Sequence, residues 1–224
     1  MKYIYSLLLV ISLFSCGENT VADKAEESNK KVAILLVNHG SHSEGWRQML
    51  YDVEDAVENE ILSLDHVMEV QTAHMEYNEP SIATRMKEFD EAGYTDVIVV
   101  PIFLTVSSHY SHDIPVIVGL SSDPKIKQEL KKEEIEIYKP NARVTITPPL
   151  DYTTILKKNV ARRVDNISTD PDNEAILLVA YGDEQYNQQW EEMVEEIGKY
   201  LTKLGAIKIA PLVIAKTVGG DING

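Results

Sequence analysis

Short apolar runs that alternate with amphipathic helical stretches constrain the fold of this chain most strongly. Val32–Val37 (VAILLV) and Asp96–Leu104 (DVIVVPIFL) are almost continuously apolar, as is typical of strands buried on both faces of a parallel sheet. Between them, Trp46, Met49 and Val53 recur at helical spacing among acidic residues, which predicts an amphipathic helix. This alternation of strand and helix predicts an α/β fold with a mainly parallel sheet.

The later segments continue the same alternation. The pattern predicts strands at Val67–Met75 and Arg143–Thr147, and helices near 79–92, 124–134 and 151–166. Pro80 is predicted to occupy the first turn of its helix, where a missing backbone N–H costs nothing.

The chain also contains an internal repeat. The segment 174–201 follows the pattern that begins at Val32, so that Trp190 and Ile197 match Trp46 and Val53. Two similar α/β halves are therefore predicted. Since one strand candidate and a glycine-rich end follow the second helix, the second half is short or incomplete. It belongs to a longer chain or completes itself in a homo-oligomer, and the sequence leaves both readings open.

The N-terminal residues are predicted to form a targeting segment outside the fold. Residues 1–16 (MKYIYSLLLVISLFSC) combine an early lysine, an apolar stretch and a cysteine after a small residue, which is typical of a lipoprotein signal peptide. Cys16, the single cysteine, would be the lipidation site, and 17–30 an acidic flexible tether. An ordinary signal peptide with a chance cysteine is the alternative. We expect a lipid anchor to the membrane of a bacterial cell envelope, on its periplasmic or outer-membrane face.

Length and charge limit what the remaining chain can do. Residues 31–168 are predicted to form a first α/β domain that carries a metal site, and 169–224 a second, partial repeat. The net charge of −15 argues against nucleic acid as a partner, because nucleic-acid binding needs a basic surface.

Two loops at predicted strand ends each carry a His-x-x-His pattern, VNHGSHSEGW and VSSHYSHDIP. Ligands of open parallel sheets bind outside the carboxyl ends of the strands, so His39 and His109 are expected to converge there. Imidazole is a common ligand of divalent transition metals. Glu76, at the end of the second strand, could complete a His-Glu-His site with open positions or accept protons. Histidines that are merely polar surface residues are the alternative.

The segments LLVNHGSHSEGW, MEYNEPSIATRM and VVPIFLTVSSHYSHDIP resemble, in order and spacing, the CbiX-type sirohydrochlorin cobaltochelatase and ferrochelatase family, the class II tetrapyrrole chelatases. The resemblance covers 32–166, and 174–204 as a weaker repeat. It implies a chelatase-like fold of two flavodoxin-like (Rossmann-type) halves. It also implies insertion of a divalent metal, Co²⁺ or Fe²⁺ rather than Ni²⁺, into a tetrapyrrole such as sirohydrochlorin, with no organic cofactor.

The resemblance assigns roles to individual residues. His39 and His109 match the histidines that present the metal, and Glu76 matches a glutamate that assists metal binding or deprotonation. The repeat departs from the pattern, since Tyr181 stands in place of His39 and Gly219 in place of His109. The metal site is therefore expected in the first half alone.

A tetrapyrrole substrate brings its own negative charges. Because a protein of charge −15 repels the ring carboxylates at long range, local donors are needed. The candidate substrate-binding residues are Ser41, Ser107, Ser108 and Arg47.

Two rival functions remain. A non-catalytic envelope lipoprotein that binds metal or tetrapyrrole for uptake or storage would fit the predicted membrane location. A hydrolase that uses Ser41 or Ser107 is disfavoured, because the chain has no Gly-x-Ser-x-Gly elbow.

Overall fold

Four parallel strands form the first sheet of the computed structural model, in the spatial order β2-β1-β3-β4. They are β1 (Val32–Asn38), β2 (Val67–His74), β3 (Asp96–Pro101) and β4 (Arg143–Ile146). β1 is buried at every residue because it pairs on both edges and is covered on both faces. The chain leaves β1 toward β2 and later returns to its other side as β3. The crevice beyond the carboxyl ends of β1 and β3 is therefore the topological switch point, where ligands of such sheets bind.

The structure describes residues 29–150, 152–180, 182–183, 185–205 and 212–214. The described helices are α1 (Glu44–Ile61), α2 (Ile82–Glu91), α3 (Ile114–Ile117), α4 (Pro124–Lys132), α5 (Lys157–Ile167) and α6 (Asn187–Lys203). Two π-helical turns, His109–Asp113 and Tyr152–Leu156, lead into α3 and α5. None of the described helices combines the length and the apolar composition that a bilayer crossing requires. The predicted α/β class with mainly parallel sheets is confirmed.

Apolar side chains pack on both faces of the first sheet. On one face, Leu35 of β1 lies in a cluster with Met86 and Phe89 of α2. On the other face, Ile34 lies in a second cluster, against which Val57 of α1 packs. Full burial of each large apolar side chain contributes about 1.5–3 kcal/mol to folding, so these two layers fix the strand ends that carry the polar loops.

α1 buries only part of its apolar stripe. Its last turns pack on the sheet through Val57 and Ile61. Trp46, Met49 and Val53 nearer its start are 53%, 51% and 40% exposed. The apolar pattern therefore predicts the helix correctly, but the apolar side chains of its N-terminal half are not buried.

A second, two-stranded parallel sheet pairs β5 (Leu178–Ala180) with β6 (Leu212–Ile214). α5 follows β4 of the first sheet along the chain, but its apolar side packs against α6. Val164 of α5 lies in one buried cluster with Met193 and Ile197 of α6. The helix that ends the first half thus belongs, by packing, to the second half.

Some predicted boundaries moved. β3 ends at Pro101 rather than at Leu104. The position predicted for Pro80 was wrong, because Ser81 is the N-cap of α2 and its side chain accepts from the backbone N–H of Thr84. Pro80 lies before the helix, and the serine supplies the acceptor that the first turn needs.

Several predictions fall where the structure describes nothing. The signal peptide with Cys16, and the tether up to residue 28, lie outside the described residues, as do Tyr181 and Gly219. The division of the chain at 168/169 stays a prediction.

Candidate metal centre

The structure brings His39, Glu76 and His109 together at the switch point. One ligand atom from each side chain lies within 4.8 Å of those of the other two. Nε2 of His39 is 3.8 Å from Oε1 of Glu76. The rings of His39 and His109 meet edge to face, with centroids 5.0 Å apart.

Backbone pairing between β1 and β2 continues past the strand ends and sets the spacing of His39 and Glu76. Met75 N–H donates to the carbonyl of Asn38 at 2.8 Å, and Glu76 N–H donates to the carbonyl of His39 at 3.0 Å. Gly40 has φ +89°, and a Cβ at this position would collide with the carbonyl oxygen of Glu76. Only glycine at position 40 therefore lets the two backbone segments approach closely enough for the side chains of His39 and Glu76 to share one crevice.

A buried hydrogen-bonded network supports this turn from below. The side-chain oxygen of Asn38 accepts from Gly40 N–H at 2.8 Å and lies 2.9 Å from Nδ1 of His74. Because that oxygen is an acceptor, Nδ1 of His74 carries the proton, and Nε2 accepts from Tyr51 Oη at 3.2 Å. His74 is fully buried, and as a neutral imidazole it supports, through Asn38, the loop that carries His39.

The pKa of His74 lies below its ordinary value. Burial is the largest cause, and the positive charges of Arg47 and Arg85 add to it. Both effects disfavour the charged imidazolium, which agrees with the single proton that its hydrogen bonds require.

His109 is oriented by a carboxylate. The π-helical turn places Asp113 so that its Oδ2 lies 2.7 Å from Nδ1 of His109. This contact fixes Nδ1 as the donor and leaves Nε2 as the ring nitrogen that can bind a metal. Carboxylates in this position orient metal-binding histidines and raise their basicity.

The charges around His109 determine its protonation. Burial lowers the pKa of His109, but the hydrogen bond and charge of Asp113, with further negative charges, raise it above the ordinary value. Glu76 and Glu133 supply those further charges. A metal ion must therefore compete with a proton for this ring more strongly than at an ordinary histidine.

Sequence reasoning missed Asp113 and Glu133 as parts of the site. Asp113 could have been found from its spacing of four residues after His109 on a helical turn. Burial raises the pKa of Glu133, and the charges of Glu76 and Asp113 raise it further, so this carboxylate lies in the same electrostatic environment. No local pattern indicates Glu133, because it follows α4, far along the chain from either histidine loop.

Of the predicted substrate-binding residues, Ser41 and Arg47 hold the first loop in shape. Nη1 of Arg47 donates to the carbonyl of Ser41 at 2.6 Å. The backbone N–H of Ser41 donates to the side-chain oxygen of Asn78 at 3.2 Å. Both groups already have protein partners, and their contact with substrate stays a prediction.

Ser107 and Ser108 are also occupied by protein partners. Oγ of Ser107 accepts from the backbone N–H of Tyr110 at 3.4 Å. The backbone N–H of Ser108 donates to Oδ2 of Asp183 at 3.4 Å. The carboxylate of Asp183, in the repeat, thus accepts the hydrogen bond from Ser108 that was predicted for a substrate carboxylate.

The second histidine of each pattern lies beside the centre. The ring of His42 lies 4.4 Å, centroid to centroid, from that of Tyr77. Nε2 of His112 lies 3.1 Å from Oε1 of Gln185 and 3.3 Å from Oη of Tyr186. Neither belongs to the group of side chains whose ligand atoms converge.

The arrangement suits a divalent transition metal. Two imidazoles and one carboxylate are ligands that such ions accept readily. Three protein ligands leave coordination positions open, as in reactive rather than structural sites. The neighbouring carboxylates of Asp113 and Glu133 add negative potential that favours a cation.

A family model described as CbiX matches residues 33–167 of the chain. Among curated proteins, the chain is similar to the sirohydrochlorin cobaltochelatase of Methanopyrus kandleri, with 33% identity over 41% of this chain and 62% of the relative. It is also similar to the sirohydrochlorin cobaltochelatase of Saccharolobus solfataricus, with 26% identity over 60% of this chain and 94% of the relative. The chain spans about three fifths of the length of the curated relatives it matches first.

Solved structures show the same fold. SirB from Bacillus subtilis with Fe³⁺ gives a TM-score of 0.60 at 22% identity, covering 85% of this chain and 68% of SirB. The sirohydrochlorin chelatase SirB from Bacillus subtilis subspecies spizizenii in complex with cobalt gives 0.57 at 21% identity, covering 82% and 67%. At such identities the likeness concerns the fold alone.

Proposed function

Because the chain belongs to the CbiX family, we propose that it inserts a divalent metal ion into a tetrapyrrole of the sirohydrochlorin type. The observation that carries the proposal is the convergence of His39, Glu76 and His109 at the switch point of the sheet. The type of reaction is inferred from the similar proteins, which are named sirohydrochlorin cobaltochelatases.

The three side chains would present the metal incompletely coordinated. Nε2 of His109 is free to bind a metal because Nδ1 is hydrogen-bonded to Asp113. The ring of His39 lies edge to face with the ring of His109. The positions that remain open can be filled by pyrrole nitrogens, so that ring nitrogens replace protein ligands one after another. Metal transfer then needs no free, fully hydrated intermediate.

The ring must release two N–H protons as its nitrogens bind the metal, so the site needs proton acceptors. The Glu76 carboxylate is adjacent to the metal position and 3.8 Å from Nε2 of His39. Glu76 would accept the two protons one after the other as metal–nitrogen bonds form. His39, once a ring nitrogen has replaced it on the metal, would pass each proton to solvent, since its side chain is 41% exposed. His109 is held by Asp113 and would serve metal binding rather than proton transfer.

The metal is proposed to be Co²⁺ or Fe²⁺. The names of the related sirohydrochlorin cobaltochelatases support cobalt. The donor set of nitrogen and oxygen ligands fits both ions, so rates measured with each ion under the same conditions would rank them.

The decisive experiment mixes the purified protein with metal-free sirohydrochlorin and Co²⁺ or Fe²⁺, and follows the loss of the metal-free absorption bands. We expect conversion of more than one ring per protein molecule. His39→Ala and His109→Ala should each reduce the insertion rate more than about 100-fold, because each removes a metal ligand.

A matched control is His66→Asn, which removes a histidine outside the centre. His66 has φ +65°, a backbone conformation that asparagine tolerates, so this variant should insert metal at the wild-type rate. Unchanged rates in both alanine variants would contradict the proposed site. A spectrum of bound ring without turnover would favour the non-catalytic carrier.

We also propose that the protein acts at the bacterial envelope, attached through a lipid on Cys16. The support is the N-terminal sequence alone, with its apolar stretch before Ser15-Cys16-Gly17. Labelling with radioactive palmitate in a bacterial host should mark the wild type and not Cys16→Ser. Release of the unlabelled wild type into the soluble fraction would contradict the anchor.

A further inference from the structure

Tyr77 adopts a backbone conformation that an aromatic residue rarely takes. Its φ is +67°, in the left-handed region that favours glycine and asparagine. Neighbouring contacts hold it there: Asn78 N–H donates to the carbonyl of Glu76 at 2.8 Å, and the Asn78 side chain accepts from Ser41 N–H. The loop is thus held on both sides of Tyr77, by Glu76 of the metal centre and by Ser41 of the loop that carries His39.

Folding does not explain this placement. Tyr77 is 56% exposed, so the core gains little from its ring. Strained positions that the surrounding structure holds in place cluster at functional sites. An exposed aromatic ring in such a position indicates a ligand that the ring contacts.

The ring of Tyr77 lies at the edge of the metal centre. Its centroid is 5.7 Å from that of His39 and 4.4 Å from that of His42, tilted by 41° in both cases. Tyr77 directly follows Glu76, and interaction with the Glu76 carboxylate raises the pKa of Tyr77. Near the other metal-binding histidine, the ring of Phe103 lies 6.5 Å from His109.

We propose that Tyr77 and His42 form a stacking surface that holds the conjugated ring of the tetrapyrrole over the three metal ligands. This inference rests on the proposed function. A flat conjugated macrocycle presents the π-face that aromatic side chains bind. Because Tyr77 directly follows Glu76 in the chain and its ring lies beside that of His39, a tetrapyrrole stacked on it would lie close to the carboxylate that accepts its protons.

The test measures ring binding and metal binding separately, with the full chain. Metal-free sirohydrochlorin is titrated in the absence of metal and followed by its absorption, and Co²⁺ is titrated without the ring by calorimetry. Tyr77→Gly should weaken ring binding roughly tenfold, since loss of one aromatic stack has that order of effect. Its Co²⁺ affinity should stay within about twofold of the wild type, because the three ligands remain.

Two further variants separate stacking from folding. Tyr77→Gly relieves the strained backbone, so its melting temperature should equal or exceed that of the wild type while ring binding falls. Tyr77→Phe keeps the aromatic face and should bind the ring within about twofold of the wild type. His42→Ala should weaken ring binding less than Tyr77→Gly.

The outcomes distinguish this inference from the proposed function. If the wild type inserts metal but Tyr77→Gly binds the ring as tightly as the wild type, the stacking surface is wrong and the proposed function stands. The same conclusion follows if Tyr77→Phe loses as much ring affinity as Tyr77→Gly. If the wild type neither binds nor metallates the ring, both proposals fall.

Discussion

The two longest helices among the described residues, α1 and α6, carry the same apolar pattern but have different surroundings. In α6, Met193 and Ile197 are 4% and 5% exposed, because α5 packs against them. In α1, the matching Met49 and Val53 are 51% and 40% exposed. The periodicity of apolar residues therefore determines that a helix forms and which side is apolar, whereas a neighbouring element determines whether that side is buried.

The two halves differ in chemistry as well. The first half brings two imidazoles and a carboxylate together after β1, β2 and β3, and among the described residues this is the one such group. The loop that matches the His39 loop in the second half carries Asp183, which accepts a hydrogen bond from Ser108. One copy of the repeated loop carries His39, a candidate metal ligand, and the other contacts the loop that bears His109.

A pair of glycine substitutions should give the largest effect and tests whether the two loops differ in function. Gly40 and Gly182 match in the repeat and both have positive φ, +89° and +78°. Gly40→Ala should destabilise the fold by about 3 kcal/mol through backbone strain and overpacking, and should abolish metal binding because Glu76 is displaced. Gly182→Ala should retain Co²⁺ binding by calorimetry. Equal loss of Co²⁺ binding in both variants would contradict the inference that only the first loop contributes to the metal centre.

A pair of methionine substitutions tests the difference in burial. Met193→Ala should lower the free energy of unfolding by about 2–3 kcal/mol, because it leaves a cavity between α5 and α6. Met49→Ala should change it by less than about 0.5 kcal/mol, as is usual for an exposed position. Urea denaturation of both variants measures this, and comparable losses would show that α1 is covered in solution.

Asp113→Asn sharpens the chemical side of the comparison. Loss of the carboxylate that orients His109 should weaken Co²⁺ binding about 10–100-fold. Its removal also lowers the pKa of His109, so proton competition with the metal should shift to lower pH in the variant. Calorimetric titrations between pH 6 and 8 measure both effects. Asp165→Asn on α5 is the matched control and should leave both unchanged.

The smallest expected effect concerns His74 in the first half. Its lowered pKa means that, as pH falls below about 6.5, the unfolded chain takes up a proton before the folded protein does. Stability should then fall toward acid, by up to about 1.4 kcal/mol per pH unit until the folded-state pKa is reached.

Unfolding experiments at pH 8 and 5.5 check this behaviour. His74→Gln should reduce the stability difference between the two pH values by about 1 kcal/mol. Tyr51→Phe removes the donor to Nε2 of His74, which raises the folded-state pKa and should reduce the difference in the same direction. If both variants kept the wild-type difference in stability between pH 8 and 5.5, His74 would not be the neutral, buried histidine described above.

The sequence predicted much of the fold and most of the centre. The buried strands and the helix at α1 came from apolar periodicity, and the parallel order from strand–helix alternation. His39 and His109 could be named because both follow buried strands, and strand ends of a parallel sheet share one edge. The start of α2 was misplaced by the proline, since the serine after it provides the cap.

The sequence by itself determined the alternation of elements, the polar loops at the strand ends and the types of side chain that could bind a metal, because these depend on local pattern and composition. Only the tertiary structure decided that β1 lies between β2 and β3, that Asp113 holds Nδ1 of His109, and that α5 covers α6 and not α1. Such outcomes depend on contacts between residues distant in sequence. Their free energies are set by the partner that the fold supplies, and no local pattern carries that information.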